Sequence, residues 1–114
     1  LAHPAYVSFW SALHFHGLTE QAPRTVFLAT TRKRRPLEFD GARFVFVRVA
    51  PYKFFGYQRE MNGDLPVLMA EVEKALVDSL DQLRYSGGLV EVAKALYRAR
   101  EQLDREMPSP ISFM

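Results

Sequence analysis

The sequence predicts an α+β domain: a mixed or antiparallel sheet of about five strands, with a short N-terminal helix and two C-terminal helices packed on it. Three observations lead there. Residues 8–16 are apolar over a short helical stretch, residues 24–69 carry runs of β-branched and aromatic residues broken by Asp-Gly and Asn-Gly pairs, and residues 71–106 change to a 3.6-residue period. Strands in one run and helices in another favour segregated layers over a doubly wound parallel sheet.

Taken in order, Ser8 precedes Phe9, Trp10, Ala12, Leu13 and Phe15, which reads as a helix whose first-turn N–H groups are capped by the serine hydroxyl and which ends at Gly17. Ser11 and His14 are its main polar interruptions, so it is expected to lie buried between other elements. Arg24–Thr31 has apolar residues on both alternating faces, the pattern of an internal strand. Pro36–Phe39 is a shorter strand, Asp40-Gly41 supplies the positive φ values of a tight hairpin, and Ala42–Val49 is the clearest strand. Phe54–Glu60 and Leu65–Met69 flank a second hairpin signal, Asn62-Gly63, and Pro66 marks the last strand as short or at an edge, because it lacks a ladder donor.

Val72, Ala75, Leu76, Ser79, Leu80 and Leu83 then form one stripe of an amphipathic helix. Glu71, Lys74 and Asp78 line another face and read as solvated surface with weak ion pairs. After Gly87-Gly88, a second helix turns Leu89, Val92, Ala93, Leu96 and Leu103 inward and Glu91, Lys94, Arg98 and Glu101 outward. Pro108 and Pro110 stop regular structure, leaving one domain over 1–106 and a tail over 107–114 that reads as linker or docking strand.

The 114 residues make one domain with a real core. Cysteine is absent, which excludes a disulfide scaffold, a thiolate metal site and a cysteine nucleophile, and fits a cytoplasmic setting. No apolar run approaches the roughly 20 residues that cross a bilayer, so no membrane association is expected. The chain opens on Leu1 rather than Met, and we expect it to be a piece of a longer protein. Charge is unevenly placed: residues 1–59 hold nine Lys/Arg and three Asp/Glu, a net of +6, while residues 60–114 hold six and ten, a net of −4.

Searching for catalytic patterns gives nothing. Phosphate-loop, dinucleotide, nucleophile-elbow and zinc-helix motifs are missing. His14 and His16 are two apart and point in different directions on a helix, unlike the i, i+4 pair that shares a metal ion. Glu71, Glu73 and Asp78 do not converge, and no lysine follows a carboxylate by two residues as in the common nuclease signature. No catalytic residue, cofactor or metal is therefore expected. The positive feature is Arg32-Lys33-Arg34-Arg35, four successive cations after an apolar strand, with Arg43, Arg48 and Lys53 as possible extensions of one phosphate-contacting patch. Its bland counterpart is a solvated loop that keeps a sheet edge from pairing. Tyr52, Phe54, Phe55 and Tyr57 have the chemistry to stack on bases, although aromatics in a strand-rich domain are more often core.

The ordered segments SFWSALHFHGLTEQAPRTVFLAT (8–30), RPLEFDGARFVFVRV (35–49), FFGY (54–57), EKALVD (73–78) and SGGL (86–89) together resemble AbiEi-type proteins, over about Tyr6 to Asp104. These are the antitoxin and transcriptional-regulator half of type IV toxin–antitoxin systems linked to viral defence. The resemblance implies a C-terminal domain needed for antitoxin activity, normally joined to an N-terminal winged helix-turn-helix that reads operator DNA. It also implies a nucleotidyltransferase-like toxin counteracted without a stable direct complex, and it carries no catalytic residues. Under this reading Arg32, Lys33, Arg34, Arg35, Arg43 and Lys53 support operator binding through backbone phosphates. Two other readings stand beside it. One is a self-association or protein-interaction module that uses an exposed sheet edge, and the other is a nucleic-acid-processing enzyme domain.

Overall fold

The computed structural model describes residues 4–20, 24–62 and 64–106. Its elements are β1 (Ala5–Val7), α1 (Phe9–Phe15), β2 (Thr25–Thr30), β3 (Leu37–Phe39), β4 (Ala42–Arg48), a 3-10 turn at Pro51–Lys53, β5 (Tyr57–Asn62), β6 (Leu65–Ala70), α2 (Val72–Asp81), a second 3-10 turn at Leu83–Tyr85 and α3 (Leu89–Glu106). The class is α+β, as expected, with six strands rather than about five. The additional strand is β1, whose three residues are too few to show an alternation. The tail from Met107, Leu103's side chain and Gly63 lie outside the described residues.

One mixed sheet runs β3-β4-β2-β1-β6-β5. β2 is parallel to β4 and β1 to β6, and the other pairings are antiparallel. At the β3–β4 hairpin Asp40 (φ 53) and Gly41 (φ 81) both take positive φ, the geometry that a two-residue turn matched to strand twist requires. Pro66 is not at an edge, since β6 lies between β1 and β5. It is tolerated because short β1 meets β6 only at Met69, so no partner on that side asks for the missing N–H.

Where β1 stops, α1 takes its place between β2 and β6. The Ser11 hydroxyl accepts from the Phe27 N–H (2.9 Å) and donates to the Thr25 carbonyl (3.2 Å), replacing the ladder partners that a longer β1 would supply. On the other side His16 Nε2 donates to the Ala70 carbonyl at 2.7 Å. The abrupt change from strand to helix leaves Phe9 at φ 57, a left-handed conformation costing about 1–2 kcal/mol for a non-glycine residue. Its fully buried ring, edge-on to Tyr85, offsets that strain.

Register assigns the two faces. Tyr6, Ala29 and Val47 form a row on the face that α2 covers, and Tyr57 stacks on Tyr6 with ring centres 4.9 Å apart. Val7, Leu28 and Phe46 form a row on the opposite face, which is open along an apolar groove of about 710 Å³.

Packing overturns part of the helical reading. Lys74 and Asp78, expected in water, are buried, with a Lys74 Nζ–Asp78 Oδ1 distance of 2.9 Å. Asp78 Oδ2 also accepts from Tyr6 (2.8 Å) and from Ser8 (2.7 Å). Ser8 is therefore the N-cap of α1 by backbone position only, its hydroxyl being committed to α2 instead of capping. Phe55 closes the cluster, its ring centre 4.4 Å from Lys74 Nζ. Gly56 lets the chain pass this close: its φ is +78, and a Cβ there would come within 2.9 Å of the Lys74 side chain. On α2 Leu80 is 49% exposed, outside the buried stripe expected for it. On α3 the inner face is Val92, Ala95 and Ala99, while Leu89, Leu96 and Ala93 turn outward. Small alanines let α3 approach the chain after α1, where Arg98 and Gln102 donate to the Leu18 and His16 carbonyls. Glu91, expected outward, is half-buried and accepts from Thr19.

Breaking a buried pair from one side costs about 3–5 kcal/mol, because the remaining charge has lost its partner. We expect Asp78→Ala to lose about that much in urea unfolding followed by circular dichroism, since it strands Lys74 and two hydroxyls together. Lys74→Met should cost less, because Asp78 keeps its two hydroxyl donors. Equal losses, or an Asp78→Ala loss below about 1 kcal/mol, would show that water or rearrangement replaces the cluster.

Burial, reinforced by the neighbouring Asp78 charge and hydrogen bond, raises the Tyr6 phenol far above its ordinary pKa of 10.0. The native state thus retains a proton that the unfolded chain releases above about pH 10, so this group's contribution is complete below that pH and declines as pH rises further. Urea midpoints from pH 8 to 11 should fall more steeply for the wild type than for Tyr6→Phe. Parallel pH profiles would refute the linkage.

Candidate nucleic-acid interface

The β2–β3 connection, residues 31–36, carries the basic run. β4 lies between β2 and β3, so this connection has to pass β4 to reach the edge strand. It starts from a fixed point: Thr30 is fully buried, donates to the Pro4 carbonyl and accepts from the Arg32 N–H, both at 3.4 Å. Arg34 then lies over Phe46 on the open face, its guanidinium carbon 4.1 Å from the ring centre. Its Nη1 is buried without a hydrogen-bond partner among the described residues. This contact turns a run of four like charges into a loop anchored at its third residue, with Arg32, Lys33 and Arg35 exposed around it.

Two of the other predicted members of the patch, Arg43 and Lys53, are not gathered with that loop. Arg43 belongs to the Tyr6 face of β4, opposite Thr25, and pairs with Glu38 at 3.4 Å. Lys53 lies in the turn after β4 and reaches to α2, its Nζ 2.9 Å from Asp81. That hydrogen bond to Asp81 raises the lysine above its ordinary pKa. Both cations thus enter solution already compensated. Among the described residues no carboxylate pairs with Arg32, Lys33, Arg35 or Arg48. Arg48 stands two residues beyond Phe46 and therefore projects from the same face as the Arg34 contact. The usable basic surface is consequently Arg32, Lys33 and Arg35 with Arg34 and Arg48 behind them. The sequence signal that separates Arg48 from Arg43 is strand parity relative to Phe46.

The aromatics near Lys53 divide as well. Phe54 and Tyr57 pack on Tyr6, with ring centres at 5.2 and 4.9 Å, and belong to the core. Tyr52 and Phe55 are 78% and 59% exposed, but they lie beside Lys53 and α2, on the helical side. They do not form a stacking platform with the basic loop. His14 is exposed and His16 is committed to Ala70, and no group of three metal-ligating side chains occurs among the described residues.

No helix among the described residues is long and apolar enough to cross a membrane. In comparisons with family models, with curated proteins and with solved structures, nothing matches this chain.

Proposed function

We propose that the chain is a non-enzymatic regulatory domain of an AbiEi-like antitoxin, and that it assists transcriptional autorepression by contacting the phosphate backbone of operator DNA. The observation that carries the reading is the uncompensated run Arg32, Lys33 and Arg35, exposed on a loop whose ends and centre are fixed by Thr30, Arg34 and β3. Phosphates bind such a surface through release of condensed counterions and do not require base readout. Sequence recognition then belongs to the winged helix-turn-helix that the resemblance implies for the parent protein. Suppression of the nucleotidyltransferase-like toxin, without a stable direct complex, is the second activity that follows from the same resemblance.

The compensated and uncompensated cations give different expectations. In fluorescence anisotropy with a short labelled duplex, the three exposed loop cations Arg32, Lys33 and Arg35 correspond to a slope of log K against log salt near −2.7. Replacing Arg32, Lys33 and Arg35 together with Ala should abolish binding at about 50 mM salt. Arg43→Ala and Lys53→Ala should leave the slope nearly unchanged, because Glu38 and Asp81 already neutralise those charges. Absence of binding by the wild type at that salt, or equal losses in all three variants, would overturn the reading.

A further inference from the structure

The open face of the sheet carries opposite charges at its two margins. Register aligns Arg48 with Thr30 and Thr30 with Ala5. Because β1 and β6 run parallel with Val7 beside Met69, Ala5 is level with Val67, which pairs with Glu60. Arg48 on β4 and Glu60 on β5 thus belong to one transverse row and one face. Among the described residues neither has an ion-pair partner, and the polar contact found for Glu60 is a hydrogen bond from Gln58 at 2.9 Å. Between the margins the surface is mainly apolar, with Val7, Val26, Leu28, Phe44 and Val67 along the groove of about 710 Å³ and Ser11 and His14 of α1 as its polar members. Phe15, 46% exposed, borders it from α1.

We propose that this face packs against the same face of a second copy, forming a two-sheet sandwich about a two-fold axis parallel to the strands. Such an axis exchanges the margins of the sheet while preserving the level along each strand. The Arg48 margin of each copy then lies over the Glu60 margin of the other, within about one strand spacing laterally and across the ~10 Å between packed sheets, a gap that extended Arg and Glu side chains span. The apolar middle meets itself, and α1, inserted near the centre of the strand order, brings Phe15 close to its counterpart at the axis.

Charge selects this occupant. A uniformly acidic partner would satisfy Arg48 and repel Glu60, whereas a two-fold copy presents both signs in reversed order. A two-fold axis perpendicular to the strands would instead set the two Arg margins on the same side. Six strands of about five residues give a footprint on the order of 450 Å² per copy, below the ~800 Å² typical of stable pairs, so the dimer belongs in the micromolar range or weaker.

Sedimentation equilibrium on the full chain at about 10–500 µM and low salt should show a monomer–dimer equilibrium. Arg48→Glu and Glu60→Arg should each weaken it more than about tenfold, by placing like charges in apposition. The combined exchange, R48E with E60R, should restore it to within a few-fold of wild type, with thermal unfolding by circular dichroism confirming that every variant is folded. A folded wild type that stays monomeric throughout would overturn the proposal and leave the face to a different chain or to the residues after Glu106. So would a dimer indifferent to both reversals, or one that the double exchange fails to rescue.

Discussion

The structure depends on one buried carboxylate. Asp78 receives Lys74 from its own helix, Tyr6 from the central strand and Ser8 from the residue that joins that strand to α1. A lone carboxylate at this depth would be too costly to keep ionised, and a lone lysine equally so, so each element of the cluster is needed for the others to be tolerable. The directional bonds also set a geometry that apolar contact alone leaves loose, since they fix the rotation of α2 about its axis and its position along β1. Phe55 and Gly56 complete the arrangement by bringing the loop before β5 down onto the lysine stem.

From this hub the sheet follows. β1 is three residues long yet occupies the middle of six strands, between partners that run in opposite directions. Such a strand cannot satisfy the whole inner edges of β2 and β6, and backbone groups left unpaired in the interior each cost of order 1–3 kcal/mol. α1 resolves this with side chains: Ser11 bonds twice to β2 and His16 once to β6. The strained φ of Phe9 is the geometric cost of bending directly from the strand into that position.

How much of this is legible in sequence depends on whether a residue's role is local. The Asp40-Gly41 turn, the internal character of β2 and the start of α3 after Gly87-Gly88 were readable, because φ preference and alternation act over a few residues. The Lys74–Asp78 pair was not, since i, i+4 spacing of opposite charges is shared by every solvated helix face, and the partners that draw it inside lie some seventy residues away. The inner face of α3 was misread for a related reason: apolar residues occur on both sides of the helix, and the side chosen is the one with alanines small enough for close approach. For the candidate interface, the run Arg32–Arg35 was plain in sequence. The compensation of Arg43 follows from the hairpin, which sets Glu38 opposite it, but that of Lys53 was not legible, because Asp81 reaches Lys53 only after α2 has been placed by the buried cluster.

The same placement ties the two proposed surfaces together. Arg34 lies on Phe46 at one margin of the open face, so the loop that presents Arg32, Lys33 and Arg35 is anchored on the surface that a second copy would cover. Covering that face removes water from the Arg34 contact and restricts the loop, so less ordering entropy remains to be lost when phosphates bind. The two-fold axis also puts the loops of the two copies at opposite margins, about 20 Å apart at the 4.8 Å spacing of strands. A paired domain would then offer Arg32, Lys33 and Arg35 twice to one duplex, with Arg48 taken up by Glu60, doubling the loops' counterion release without a new contact type. Dimerisation and backbone binding are thereby expected to favour each other, through one arginine that belongs to both surfaces.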